Sequence, residues 1–215
     1  MNGWRGLLAI AGLAMLVGGG CALLSRGTPL KPQYFDPLSS GAPGVTEAMP
    51  DSGATPECAI QIGDISASED LGEGIAFRSA PHQIGYYESR RWSESPDNYL
   101  RRALERRMFD AQRCRRVLSN TGRTLDVRLL AFEEQRGPSH RARVAVHVVL
   151  SDDQAVLHEE TIDWARPCPA GDGDAAFEGF VKAISQTLDD VVERVVAIVL
   201  SSASSGAAAG QHPGD

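Results

Sequence analysis

The sequence offers no apolar run long enough to cross a bilayer as a helix. The N-terminal run, Gly6 to Val17, spans 12 residues, against the roughly 20 that a spanning helix needs. There is no Gly-x-Ser-x-Gly elbow, so nucleophilic hydrolysis lacks its usual machinery. No glycine-rich turn is placed to cradle phosphate: Gly18 to Gly20 read as a processing site, and Gly171-Asp172-Gly173 as a loop before a helix. The five histidines, His82, His140, His147, His158 and His212, stand in five different contexts. His147 and His158 fall on strands that can pair, where they read as a sheet's solvent face, and no metal site is expected. Asp152-Asp153 and Glu159-Glu160 read as turn and strand-surface acids. Internal repeats are lacking. With 28 acidic against 21 basic residues the net charge is −7, and no clustered basic footprint for nucleic acid stands out. These absences leave no catalytic residue, cofactor or metal to assign.

What is present begins at Cys21. Arg5 supplies a positive n-region, Gly6 to Val17 an apolar h-region, and Gly18 to Gly20 small residues at the cleavage site. A small-residue run ending in Cys marks a bacterial lipoprotein signal, in which the Cys21 thiol is acylated and becomes the mature N-terminus. Position −3 is Gly18, where an aliphatic side chain is usual; an ordinary secretory signal is the alternative. Several acyl chains together hold a protein on a membrane where one does not. Ala22 follows Cys21 in place of the Asp that commonly retains lipoproteins at the inner membrane, which favours the outer membrane, periplasmic face.

Removing residues 1–20 leaves 195 residues, enough for one domain with its own core. Composition divides the chain further. Residues 21–57, rich in Pro, Gly and Ser, read as a lipidated N-terminus and flexible tether. Fully drawn out, such a tether spans well over ~100 Å at about 3.3–3.6 Å per residue. Residues 58–200 carry the periodicity of a folded domain, and 201–215 read as a disordered tail. With Cys21 acylated, Cys58, Cys114 and Cys168 remain, an odd number in an oxidising compartment. At most one intramolecular bridge can form. Cys58 opens the first strand and Cys168 precedes the last helix, so Cys58–Cys168 is the preferred pair, with Cys114 reduced or buried.

Within the domain, Ala59 to Ser66 reads as a strand, Ile60 and Ile62 on one face and Ile65 shifted to the other beyond Gly63, where a bulge fits. Ile75 to Phe77 and Gln83 to Tyr87 are shorter extended pieces. A helix starts at Ser95, an N-cap with Pro96 at the first helical position and Asp97 at the positive dipole end. Leu100, Ala103, Leu104, Arg107 and Met108 share one face of it. Three strands then form a meander: Leu125 to Ala131, Ala142 to Leu150, and Ala155 to Trp164, the last two joined by a tight turn at Ser151 to Gln154. Phe177, Phe180, Val181, Ile184, Leu188, Val191, Val192, Val195 and Val199 stripe a final long helix. The fold class is α+β, a single antiparallel-rich sheet with two helices packed on one face.

Two arginine features bear on binding. Doublets recur at Arg90-Arg91, Arg101-Arg102, Arg106-Arg107 and between Arg113 and Arg116; on a helix these usually form a solvated face, an anionic-lipid patch being the alternative. Trp92, just ahead of a helix, reads as a core plug, with Arg91 paired to an acid on a neighbouring strand. The alternative is that both grip a partner, since Trp and Arg are common interface anchors.

The order of several blocks resembles a known family. Gln33-Tyr34-Phe35-Asp36-Pro37-Leu38 is similar to the Tyr-aromatic-x-Leu opening of the ABC-type transport auxiliary lipoproteins, with Leu one place late. Gly63-Asp64-Ile65 followed by Leu71, Ile75 and Arg78 resembles their Gly-x-Val, Leu, Ile-x-x-Arg succession. Tyr86-Tyr87, then Arg91-Trp92-x-Glu94-x-Pro96 leading into Tyr99-Leu100 and Leu104, resembles their most specific block. The resemblance implies a non-enzymatic lipoprotein, anchored in the outer membrane through its acyl chains. Its implied partners are a mammalian-cell-entry (MCE) domain protein and the associated ABC permease and ATPase, which together move phospholipid across the periplasm. Tyr86, Tyr87, Arg91 and Trp92 become the first candidates for partner contact, and a homo-oligomer stays open. A structural envelope lipoprotein that scaffolds or assembles without moving lipid is the competing reading.

Overall fold

The computed structural model describes residues 31–38, 58–110, 113–118 and 122–209. The signal segment, Cys21, His212 and most of the expected tether lie outside these residues.

Strict alternation builds the centre of the fold. In β7 (Arg141–Ser151) the residues Ala142, Val144, Val146, Val148 and Leu150 all face inward with no exposed surface, because successive side chains of a strand point to opposite faces. β6 (Arg123–Gln135) and β8 (Val156–Pro167) flank it antiparallel, giving the expected meander. The register of β6 against β7 slips between Leu129 and Ala131. That extra residue turns Phe132 to the same buried face as Leu125, Val127 and Leu129.

On its other side β6 pairs in parallel with two strands in succession: β2 (Cys58–Ala67) along its first half and β3 (Gly74–Ala80) along its end. β4 (Gln83–Trp92) pairs antiparallel with β3. Two short strands, β1 (Gln33–Phe35) and β5 (Cys114–Arg116), add in parallel to β4 and β2. The result is an eight-stranded mixed sheet in which the longest pairings are antiparallel. The parallel contacts join residues far apart in the chain, which local alternation does not specify.

The bulge expected near Gly63 is present, between Ile62 and Ile65. It returns Ile65 to the core beside Ile60 rather than to the opposite face. Gly63 is needed there. A Cβ would lie 2.2 Å from the Asp126 carboxylate oxygen, which accepts a 2.6 Å hydrogen bond from the Asp64 amide.

Two helices cover one face of the sheet. α1 (Pro96–Glu105) follows Ser95 in extended conformation, with Pro96 at N1 and Asp97 in the first turn. The Ser95 hydroxyl accepts from the Asn98 side chain at 3.1 Å instead of from a helix amide. Leu100, Ala103 and Leu104 are buried as expected, and so is Met108. Arg107 is not: residues Arg106–Asp110 form a π turn, whose wider pitch rotates Arg107 out of the stripe and into an ion pair with Glu193. α2 (Asp174–Ala209) buries Phe177, Phe180, Ile184, Leu188, Val191, Val192, Val195 and Val199. No described helix is long and apolar enough to cross a membrane.

Three boundaries move. Gln33–Phe35, placed by sequence in the tether, is a strand of the sheet. The helix expected to stop near 200 continues to Ala209, into the expected disordered tail. β3 and β4 are longer than the extended pieces read from sequence.

The disulfide also differs. Cys58 is bonded to Cys114, with Cα atoms 4.5 Å apart, and Cys168 is free. Cys58 and Cys114 open adjacent parallel strands directly opposite each other. The expected partner, Cys168, follows β8, three strands away from β2 through β6 and β7. At about 4.8 Å per strand that is ~14 Å, beyond the ~7 Å limit for a bridge.

Candidate partner-docking site

The alternation of β4 separates its two tyrosines. Tyr86 lies on the helix-free face, 43% exposed, and its hydroxyl donates to the Asp70 carbonyl at 3.0 Å. Tyr87 turns towards the helices. Its hydroxyl donates to Glu134 at 2.7 Å. Glu134 also accepts from Arg136 Nε at 2.7 Å and lies 3.2 Å from His140 Nδ1, so this buried carboxylate is fully partnered. Burial first, and donation to a carboxylate second, push the Tyr87 hydroxyl up to about 12.

Around this core the aromatic rings and guanidinium groups stack. Arg136 lies 3.9 Å from the Phe77 ring centroid and 4.7 Å from that of Tyr87. Arg90 lies 4.2 Å from the Phe177 ring and donates to Asp174, the first residue of α2, at 2.8 Å. Phe177 meets Tyr87 and Phe35 edge-on at 4.9 and 4.6 Å. Side chains from β1, β3, β4, β6 and α2 thus close one end of the sheet, where cation–π contacts and charge-assisted hydrogen bonds reinforce each other.

The helix-free face carries a second ionic array. Glu133, next to Glu134 and therefore on the opposite side of β6, is held between Arg78 at 2.7 Å and Arg143 at 3.0 Å. Arg143 also forks onto Asp163 at 2.8 and 2.7 Å, which lowers the Asp163 carboxyl and raises the guanidinium. The line crosses β3, β6, β7 and β8. Sequence reading passed over both glutamates. The available signal was a pair of adjacent acids ending an apolar strand: one of them has to face the helices.

The expected site residues separate. Trp92 has no exposed surface and packs against Phe132 at 5.3 Å and Tyr99 at 6.2 Å, so it is the core plug and leaves the candidate surface. Among the described residues Arg91 pairs with no acid: its guanidinium donates to the Tyr87 carbonyl and, at 2.9 Å, to that of Arg90. The arginine that finds an acid is Arg90. Tyr86 stays exposed, while Tyr87 and Arg91 are both half-buried. Cys168 lies near Glu134, and burial followed by that charge raises its thiol to about 11; it stays protonated and unreactive at neutral pH. His147 lies 3.3 Å from Glu159, and His158 lies 3.1 Å from Glu160. No cluster of metal-ligating side chains occurs among the described residues. The arrangement is suited to holding surfaces together.

Known structures share this architecture. A Xanthomonas campestris protein of the DUF330 family superposes with a TM-score of 0.66 at 19% identity, covering 81% of this chain and 99% of that one. An uncharacterised protein superposes with a TM-score of 0.57 at 12% identity, covering 78% and 99%. Both likenesses establish the fold alone. No curated protein matches the chain. The family model for the ABC-type transport auxiliary lipoprotein component matches residues 38–196, from the end of the β1 segment to within α2. The chain therefore belongs to the ABC-type transport auxiliary lipoprotein family, whose members take an accessory part in transport.

Proposed function

We propose that this protein is a non-enzymatic subunit of an ABC/MCE phospholipid transport system, anchored by acyl chains on Cys21 to the periplasmic face of the outer membrane. The observation that carries this reading is the family match over residues 38–196. The fold supports a docking role, because its polar clusters are closed on themselves and present surfaces. Tyr86, exposed, and Arg91, half-buried, belong to the family's most specific block and are assigned to partner contact, with Tyr87 holding the strand beneath them.

Co-purification from detergent-solubilised membranes tests the reading. The intact lipoprotein should recover the MCE-domain protein of the same organism. A combined Tyr86→Ala and Arg91→Ala variant should lose most of that recovery while keeping its melting temperature. If no MCE-domain protein associates with the unaltered chain, a structural envelope lipoprotein that moves no lipid becomes the better reading.

A further inference from the structure

One stretch of the surface concentrates positive charge. Between residues 101 and 116 the chain carries seven arginines against two acids, in a protein of net charge −7. Arg102, Arg107, Arg113 and Arg116 pair with Glu94, Glu193 and Glu105. Among the described residues Arg101, Arg106 and Arg115 form no ion pair, and the last two are exposed. Arg116 also covers the Phe109 ring at 4.3 Å. Two residues beyond β5 stands Leu118, 89% exposed and the most exposed large apolar side chain described.

Guanidinium groups outside ion pairs, of which Arg106 also faces the Asp189 carboxyl, beside a projecting apolar side chain match the interface of an anionic bilayer. There, phosphates attract the cations and the acyl boundary accepts the leucine. The position of this surface fits as well. Asp36 and Leu38, immediately after β1, line a groove of about 370 Å³ with Arg102, Arg106 and Arg116 and the acids Glu105 and Asp110. Because β1 is fixed in the sheet, only residues 22–32 separate the fold from Cys21, a reach of at most ~40 Å.

We propose that the surface formed by the end of α1, the π turn and β5 docks onto a bilayer containing anionic phospholipid. Arg101, Arg106 and Arg115 face the phosphodiester headgroups and Leu118 enters the interface. The proposal rests on the lipid anchor at Cys21 and is independent of the MCE partner and of transport.

The acylated full chain, reconstituted in vesicles of phosphatidylcholine alone or with added phosphatidylglycerol, is treated with phenylglyoxal and its modified arginines are mapped by mass. Arg106 and Arg115 should react about tenfold more slowly on the anionic vesicles, with the protection lost in about 0.5 M salt, where charges are screened within a few ångströms. Arg128, exposed on the helix-free face, should react equally on both and serves as the internal reference. Equal reactivity of Arg106 and Arg115 on the two vesicle types overturns the proposal, as does equal protection by inorganic phosphate on neutral vesicles, which would mark a small-anion site. Either result leaves recovery of the MCE-domain protein unaffected, so docking and the transport reading fail separately.

Discussion

Trp92 fills the space between α1, β6 and α2, touching Tyr99, Phe132 and Phe180. Trp92→Ala should cost about 3–5 kcal/mol, as other large aromatic truncations in cores do, read from urea unfolding. Its Nε1 has no acceptor among the described residues, so Trp92→Phe strands no described partner and should be much the milder change. Tyr87 is sensitive to pH in a defined window. Its hydroxyl is raised from 10.0 to about 12 in the fold, so the native state favours the protonated phenol. That contribution is complete below pH 10 and is lost as pH climbs from 10 towards 12. Melting temperatures across this range should fall more steeply for the native protein than for Tyr87→Phe. Parallel curves would show that the Tyr87–Glu134 contact adds nothing. Glu133→Gln leaves Arg78 and Arg143 without their shared carboxylate and should cost about 3 kcal/mol, measured by the same unfolding series.

Among the elements, the Cys58–Cys114 bridge ties β2 to β5 across a sequence separation of 56 residues. A loop of that size corresponds to about 4 kcal/mol in the chain-entropy picture, so reduction should lower the unfolding midpoint by a comparable amount. Non-reducing mass mapping should find Cys58 joined to Cys114. Cys168, half-buried and with its thiol near 11, should alkylate slowly until the protein unfolds. Where this wiring escaped sequence reading, the reason is physical. β7 was legible because five inward residues alternate without interruption, and α1 because Ser95-Pro96-Asp97 punctuates its start. β5 was not: three residues, two of them Arg, have no period, and only the return of the chain past the π turn makes them a strand. β1 was hidden in the same way by the Pro/Gly-rich composition around it. The tyrosine doublet was found, but not its division between faces, because β4 slips register against β3 between Gly74 and Ala76 and pattern alone does not fix such a slip. Glu134 was missed because its partners come from β4, from beyond β6, and from the hairpin at His140, all remote or irregular in sequence.

At the scale of the whole molecule, under the proposed anchoring at Cys21, the position of β1 would govern how far the domain stands from the membrane. Cys21→Ser should release the protein from membranes or leave it unprocessed, and membrane fractionation with intact mass reads the difference; a processed mutant that still pellets would refute lipid anchoring. With β1 in place, the leash is residues 22–32. With β1 detached from β4 it becomes residues 22–57, ~120 Å of contour at the same rise per residue. β1 is paired over three residues with β4, its Phe35 ring meets Phe177, and the Phe35 carbonyl accepts from the Ser93 amide at 2.9 Å and the Tyr99 hydroxyl at 3.3 Å, while β2 is stapled to β5 by the disulfide. Pulled between a membrane holding Cys21 and a distant partner, the molecule should act as a mechanical fuse: the short strand is expected to peel first, the stapled domain to stay folded, and the leash to lengthen about threefold. Force spectroscopy on the anchored chain should record an early, low-force extension of roughly 80 Å before any unfolding of the core, and substituting Phe35→Ala should lower the force at which it occurs.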